Sequence, residues 1–151
     1  AQVDGSDISA EALAVCEENI QRHGLAEQVR ALQSDGLAAV DGPYDLIVSN
    51  PPYVDAQDMA SLPDEYRHEP ELALASGDDG LDFTRKLLLD APDQLTEEGV
   101  LIVEVGNSWE AMLQTWPQVP FFWFEFERGG HGVFMLTRAQ LLEYRDDLLA
   151  D

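Results

Sequence analysis

Positive charge is the scarcest property of this 151-residue sequence. It has 8 lysine and arginine residues against 30 aspartate and glutamate residues, so its formal net charge is −22. Because nucleic-acid binding normally rests on a basic surface, so acidic a chain is not expected to hold DNA or RNA. Two explanations of the acidity stay open. The chain has a basic protein partner, or it is adapted to high salt and needs no partner at all.

Cysteine, clustered histidine and long apolar runs are also missing. Cys16 is the only cysteine, which excludes an internal disulfide, and its place among helical apolar residues favours a small buried side chain. The three histidines lack ligand spacing, so no metal site is predicted. No apolar run approaches the roughly 20 residues needed to span a bilayer. We therefore expect a cytoplasmic protein with no membrane partner.

The apolar pattern predicts one domain over residues 1–151 in which strands alternate with helices. Hydrophobic residues make up 45% of the chain, enough for a core of its own. The strands are predicted at 1–7, 29–33, 44–49, 99–105, 121–127 and 133–137, and the helices at 9–22, 81–95, 108–116 and 139–149. This order predicts an α/β fold with a parallel sheet, right-handed crossovers and helices on both faces. The polar stretch 54–76 is expected to be a long functional loop.

The most informative short motif is Asn50-Pro51-Pro52-Tyr53, directly behind the apolar run 44–49. Each proline fixes its own φ and restricts the residue before it, so the segment should be stiff. The asparagine amide and the carbonyls are acceptors, and the tyrosine offers an aromatic face. The motif is therefore suited to holding a planar –NH2 group, although Asn-Pro and Pro-Pro are also ordinary turn signals.

Three polar residues, Asp7, Asp35 and Asn50, end three successive predicted strands. In an open parallel sheet the carboxyl ends of the strands line one crevice, where ligands bind. A carboxylate at the Asp7 position is suited to ribose hydroxyls. Each aspartate also has a simpler interpretation, as a helix cap or as turn chemistry.

The motifs together resemble the HemK/PrmB family of protein-glutamine methyltransferases, most closely its PrmB branch. The resemblance rests on the segment from Asp35 through the tetrapeptide, the Glu65-Tyr66-Arg67-His68-Glu69-Pro70 block, the turn at 77–81, Glu104-Val105-Gly106 and the Gly129-Gly130 hairpin. It covers nearly the whole chain. The fold that it implies is a class I S-adenosylmethionine-dependent methyltransferase, a Rossmann-like sheet closed by an antiparallel hairpin.

The resemblance implies S-adenosylmethionine as cofactor and a glutamine side-chain amide of a basic protein as substrate. That protein would be a large-subunit ribosomal protein in the PrmB branch or a peptide release factor in the HemK branch. The catalytic residues implied are Asn50, Pro51, Pro52 and Tyr53. The cofactor-binding residues implied are Asp7, Ile8, Asp35, Gly36 and Asn50, and the substrate-binding residues are Asn50, Tyr53, Glu69 and Pro70.

The family's glycine-rich first strand and loop have no counterpart in this sequence. We therefore expect an N-terminally truncated catalytic domain, in which the missing strand would lie between the strands that end at Asp7 and Asn50. The cofactor site would then be incomplete. Two further functions stay open: a DNA adenine-amino methyltransferase, which shares the tetrapeptide but needs a basic surface, and an inactive cofactor-binding module.

Overall fold

The computed structural model describes residues 1–51 and 81–150. These residues form two compact units, Ala1–Asp41 and Gly42–Asp151. In the first unit, strand β1 (Val3–Asp7) is followed by helix α1 (Ala10–Arg22) and strand β2 (Val29–Gln33). The strands pair in parallel, from Val3 opposite Val29 to Asp7 opposite Gln33. The predicted strand-helix-strand order of this region is therefore confirmed.

Local signals explain where α1 begins and ends. The Ser9 hydroxyl oxygen accepts a hydrogen bond from the Ala12 backbone N–H at 3.2 Å, as expected of an N-cap. Gly24 follows the helix with a φ of 66°, a left-handed angle that glycine adopts without a steric penalty. The predicted boundaries thus follow from side-chain chemistry close to each end.

The second unit contains the larger sheet. Its elements are β3 (Tyr44–Ser49), α2 (Asp82–Gln94), β4 (Leu95–Glu104), a 3-10 turn (Gly106–Ser108), α3 (Trp109–Thr115), β5 (Phe122–Trp123), β6 (Val133–Thr137), α4 (Arg138–Glu143) and α5 (Arg145–Leu149). The strand order is β3-β4-β6-β5, with β3 parallel to β4 and the last two pairs antiparallel. An α/β fold with a closing antiparallel hairpin is confirmed.

The core of the second unit lies between this sheet and its helices. In β4, Leu101 and Val103 are fully buried, and on β6 Phe134 and Leu136 are as well. Leu88 of α2 is fully buried too, and α2 contacts both α4 and α5. Burying each such side chain stabilises the fold by about 1.5–3 kcal/mol. The buried centre holds the carboxyl ends of β3 and β4 in fixed register.

The apolar run 44–49 is typical of a central strand of a parallel sheet, and β3 differs from that expectation. Among residues 1–51 and 81–150 it pairs only with β4, while β1 and β2 form a separate two-stranded sheet. Leu46 and Val48 of β3 are 50% and 67% exposed.

Two other elements have different bounds from those predicted. The first strand of the hairpin is Phe122–Trp123 and not 121–127. Beyond it the Phe124 N–H still donates to the Val133 carbonyl at 2.9 Å, whereas the next carbonyl, that of Gly132, accepts from Val105, just after β4, at 2.6 Å. The final helix is broken at Tyr144, whose N–H donates to both Gln140 and Leu142 carbonyls. Local backbone bonds decide both differences.

β4 also begins earlier than predicted, at Leu95 instead of 99. Leu95 pairs with Tyr44, and an irregularity lies between Tyr44 and Leu46. Gly99 is needed in this stretch, because a β-carbon there would lie 3.0 Å from the Leu95 side chain.

No helix in the described part of the chain combines the length and hydropathy required to cross a membrane.

Candidate active site

Asp7 and Ile8 lie at the carboxyl end of β1. The Asp7 Oδ1 atom accepts a hydrogen bond from the Ser9 backbone N–H at 2.8 Å, so this carboxylate shapes the turn into α1. Ser9 itself caps the helix. Asp7 remains exposed, and Ile8 exposes 38% of its surface. One carboxylate oxygen is thus engaged in the turn, and the side chain still faces solvent.

Asp35 and Gly36 occupy the matching position after β2. Ser34, which is 5% exposed, organises their turn: its hydroxyl donates to the Gly36 carbonyl at 2.8 Å and accepts from the Ala39 N–H at 3.0 Å. Gly36 has a φ of 60°. The buried hydroxyl therefore fixes the loop while the Asp35 side chain is exposed.

The structure brings these two loops together. Asp7 is paired with Gln33 in the ladder, the Asp7 carbonyl accepts from the Ser34 N–H at 3.0 Å, and the Gln33 side-chain amide donates to the Ile8 carbonyl at 3.1 Å. The result is one edge that carries two exposed carboxylates and an exposed apolar side chain. Carboxylates are pure acceptors, so the edge fits ribose hydroxyls and an adenine amino group, and Ile8 fits an apolar ring face.

Sequence reasoning missed Ser34 and Gln33 as supports of this edge. The signal for Ser34 was present, since a serine before Asp-Gly at a strand end is typical of a side-chain-stabilised turn. Gln33 carried no such signal. Its role depends on the parallel register, which places its side chain beside the chain segment that leaves β1.

The other end of the β1-β2 ladder has a different chemistry. Arg30 lies opposite Asp4 and donates to its carboxylate at 3.2 and 3.0 Å, and it also reaches Asp41 at 3.3 Å. The hydrogen bond to Asp4, followed by its charge, raises the pKa of the Arg30 guanidinium above its ordinary value. An open groove of about 530 Å³ adjoins this pair. Asp7 and Asp35 do not line it.

Asn50 and Pro51 follow β3 in the second unit. β3 runs parallel to β4 with Ser49 opposite Val103, so Asn50 leaves the sheet beside the end of β4. Asn50 is exposed and Pro51 is buried. An asparagine amide is thereby presented at the strand end on a segment anchored by a buried proline. Four other predicted site residues, Pro52, Tyr53, Glu69 and Pro70, lie outside the described residues, as does the expected loop 54–76.

Two glycines bring the end of β4 against the hairpin loop. A β-carbon on Gly132 would lie 2.3 Å from the Gly106 carbonyl oxygen, and Gly132 has a φ of 78°. Next to this crossing, the His131 Nε2 atom lies 3.0 Å from the Asn107 side-chain oxygen. Since Glu104 is paired with Val133, these groups share the rim of the sheet from which Asn50 emerges.

The His131 and Asn107 pair was not among the predicted site residues. The run Gly129-Gly130-His131-Gly132 was a possible signal, because a single polar side chain among glycines is exposed by the turn. Among the residues that the structure describes, no group of three or more histidine, cysteine, aspartate or glutamate side chains could hold a metal ion.

Comparison with known proteins decides the family. The chain is 52% identical over 141 residues to the ribosomal protein uL3 glutamine methyltransferase of Francisella tularensis, covering 93% of this chain and 45% of that protein. It is 50% identical over 142 residues to the same enzyme of Neisseria gonorrhoeae, covering 94% and 48%. The chain belongs to the protein-glutamine methyltransferase family. It spans about half the length of the curated relatives that it matches.

Two further kinds of comparison concern the fold. The family model for the methyltransferase small domain matches residues 1–65. A methyltransferase from Pyrococcus furiosus has a similar fold, with a TM-score of 0.62 at 21% identity over 91% of this chain and 62% of that one. The human methyltransferase 10 domain containing protein gives 0.51 at 14% identity, over 91% and 61%. The predicted class I methyltransferase fold is therefore confirmed.

Proposed function

We propose that this chain is the catalytic part of an enzyme that methylates a glutamine side-chain amide of a large-subunit ribosomal protein, uL3. The observation that carries the proposal is the 52% identity, over 93% of the chain, to a relative named for that reaction. A release factor is the less favoured substrate, because both relatives reported above are named for uL3. A DNA adenine substrate is disfavoured by the net charge of −22.

The amide nitrogen of glutamine is a poor nucleophile because its lone pair is delocalised. We place its –NH2 group between the side-chain oxygen of Asn50 and the carbonyl of Pro51. Two acceptors at fixed positions orient the nitrogen and stabilise the positive charge that develops on it. The burial of Pro51 supports this role, because it anchors the segment that carries both acceptors. Pro52 and Tyr53 complete the motif, and Glu69 and Pro70 contact the substrate.

S-adenosylmethionine, the cofactor of the family, supplies an electrophilic methyl group on a sulfonium sulfur. Asp7 accepts from the ribose hydroxyls, Asp35 accepts from the adenine amino group, and Ile8 and Gly36 line the purine. The family resemblance implies Asn50 as a further cofactor contact. The exposed edge formed by the Asp7 and Asp35 loops supports this assignment.

We also propose that residues 1–151 belong to a single catalytic domain within a cytoplasmic protein. The 93% and 94% coverage of this chain by the two curated relatives supports the first part. The basic partner of this domain is the ribosomal protein substrate, and neither nucleic acid nor membrane is a partner. In this proposal the net negative charge of the chain attracts a positively charged protein substrate.

Replacement of Asn50 by alanine in the full-length protein tests the function. We expect kcat for methyl transfer to uL3 to fall about a hundredfold, near 3 kcal/mol, as for one preorganised polar contact. The Kd for S-adenosylmethionine should change little, because Asn50 acts mainly on the accepting amide. Radiolabelled methyl transfer and calorimetry measure the two quantities.

Asn19→Ala is the matched control, because Asn19 is exposed on α1. It should leave both quantities unchanged. Equal losses of rate and cofactor affinity in the Asn50 variant would reject its assignment to the substrate amide. A wild-type protein that binds the cofactor and transfers no methyl group to uL3 would support the inactive-module alternative.

A further inference from the structure

Three phenylalanines, two of them exposed and Phe124 half-buried, form a row that starts on β5 and continues beyond its end. Phe122 and Phe124 are in edge-to-face contact with ring centroids 5.3 Å apart, and Phe124 and Phe126 are stacked at 6.4 Å. Phe122 is 56% exposed and Phe126 is 50% exposed. We call Phe122, Phe124 and Phe126 the aromatic ladder.

The core does not need the ladder. Side chains alternate between the two faces of a strand, and the intervening Trp123 points the other way, with its ring 5.4 Å from that of the fully buried Phe134. Phe121 also packs on Phe134, at 4.8 Å. The inner aromatics thus supply the packing, while the ladder leaves apolar surface in water. Exposed apolar patches of this kind mark interaction surfaces.

The ladder leads toward the rim that carries Asn50. A β-carbon on Gly130 would lie 3.7 Å from the Phe126 ring, so Phe126 rests against the loop that holds His131. From there the chain enters β6, whose Val133 is paired with Glu104 at the end of β4. β4 in turn is the neighbour of β3, which ends just before Asn50. A polypeptide bound along the ladder would extend toward the catalytic motif.

The charges around the ladder select the kind of polypeptide. Glu125 and Glu127 are exposed and lie next to Phe124 and Phe126 in the chain, beyond the end of β5, and Glu104 on the rim is exposed as well. Lysine and arginine side chains bind such a surface in two ways. Their aliphatic stems and cationic groups pack over the aromatic rings, and their charges pair with the carboxylates. β5 is the last strand of the sheet in the described part of the chain, so an extended segment can lie beside it.

We propose that the aromatic ladder, with Glu125 and Glu127, is the docking surface for a cationic extended segment of the protein substrate. This inference rests on the proposed function for the identity of the substrate. The ladder binds residues away from the methylated glutamine and so sets the affinity for the protein, whereas Asn50 acts on the amide.

The test compares two double variants of the full-length protein. In Phe122→Ser/Phe126→Ser we expect the Kd for uL3, measured by fluorescence anisotropy, to rise about tenfold, as for the loss of two cation-ring contacts. The KM for uL3 should rise in parallel, with kcat and the KM for S-adenosylmethionine unchanged. The control is Leu142→Ser/Leu149→Ser, which removes leucines that are 42% and 56% exposed on α4 and α5. It should alter none of these values.

A glutamine-free peptide of alternating arginine and glycine separates this proposal from the methylation function. Weaker binding of the peptide to the ladder variant than to the control variant supports the docking surface, even if uL3 is never methylated. Equal binding of uL3 and of the peptide to both variants overturns it. A ladder variant that changes only the monomer-dimer equilibrium, or only the melting temperature, also overturns it, because the ladder would then cover a second copy or another part of the same protein.

Discussion

The two compact units differ in what holds them together. In residues 1–41 the buried side chains are those of Ile20 and Ser34, whereas the second unit buries leucines, valines, Trp116 and Phe134 around β4. All of the aromatic residues lie beyond residue 41. The first unit carries the carboxylates suited to a cofactor on a thin strand-helix-strand layer. The second carries Asn50 and Pro51, proposed to hold the substrate amide, on a packed core. The two carboxylates and most of the buried apolar side chains therefore lie in different parts of the chain.

A core deletion should show the largest contrast between the units. Leu101→Ala removes a fully buried side chain from β4, and we expect a loss of about 3 to 4 kcal/mol in unfolding free energy. Leu13→Ala, at a half-buried position in α1, should cost less than about 1 kcal/mol. Urea denaturation is followed by tryptophan fluorescence, which reports on the second unit because it holds all three tryptophans, and by circular dichroism, which reports on both units. Similar losses in the two variants would show that the first unit depends on a core of its own.

The crossing of Gly106 and Gly132 should be the next most sensitive feature. Gly132→Ala places a β-carbon against the Gly106 backbone and forces a left-handed alanine, so we expect a loss of about 2 to 3 kcal/mol. Gly129→Ala is the matched control, since its φ is 85° but nothing lies within 4 Å of the added carbon. It should cost about 1 kcal/mol. Equal shifts in the urea midpoint would mean that the close contact is unimportant.

A change at Asp7 should affect binding and leave stability nearly intact. Asp7→Asn keeps an oxygen that can accept from the Ser9 N–H and removes the charge and one acceptor. We expect the Kd for S-adenosylmethionine to rise about tenfold in the full-length protein, which is about 1.4 kcal/mol. Calorimetry measures this Kd. Asp41→Asn is the control, because Asp41 contacts Arg30 at the other end of the β1-β2 strand pair. If affinity is unchanged, Asp7 is a structural turn residue only.

Salt should produce the smallest effect. Because the net charge is −22, screening should relieve repulsion in the folded state and stabilise it by about 1 kcal/mol, raising the melting temperature by about 2 to 4 °C. Thermal melts in low and high potassium chloride compare the salt response of the two units. The melts are followed by both tryptophan fluorescence and circular dichroism. The first unit already pairs Arg22 with Glu18 and Arg30 with Asp4, so its response should be weaker. A flat or falling midpoint would show that the acidic residues are locally compensated.

Strands β2 and β3 were predicted with their observed bounds, because a short apolar run between turn signals depends on residues close by. The start of α1 at Ser9 followed for the same reason. The two carboxylates could be predicted to lie together because the ends of neighbouring parallel strands share one edge. The role of the motif at Asn50 stays a prediction, based on the stiffness that covalent geometry gives its prolines. These motifs also indicated the family to which the relatives belong.

The sequence by itself determined the order of strands and helices, the acidity and the chemistry available at each strand end, since each depends on side chains within a few positions. Only the tertiary structure decided that β3 has β4 as its single partner strand within residues 1–51 and 81–150, and that His131 meets Asn107. It also decided that Gln33 supports Ile8 and that the phenylalanines after Pro120 divide into an inner packed set and an outer ladder. Each of these depends on which backbone groups and side chains distant segments bring into contact, and a local pattern does not contain that information.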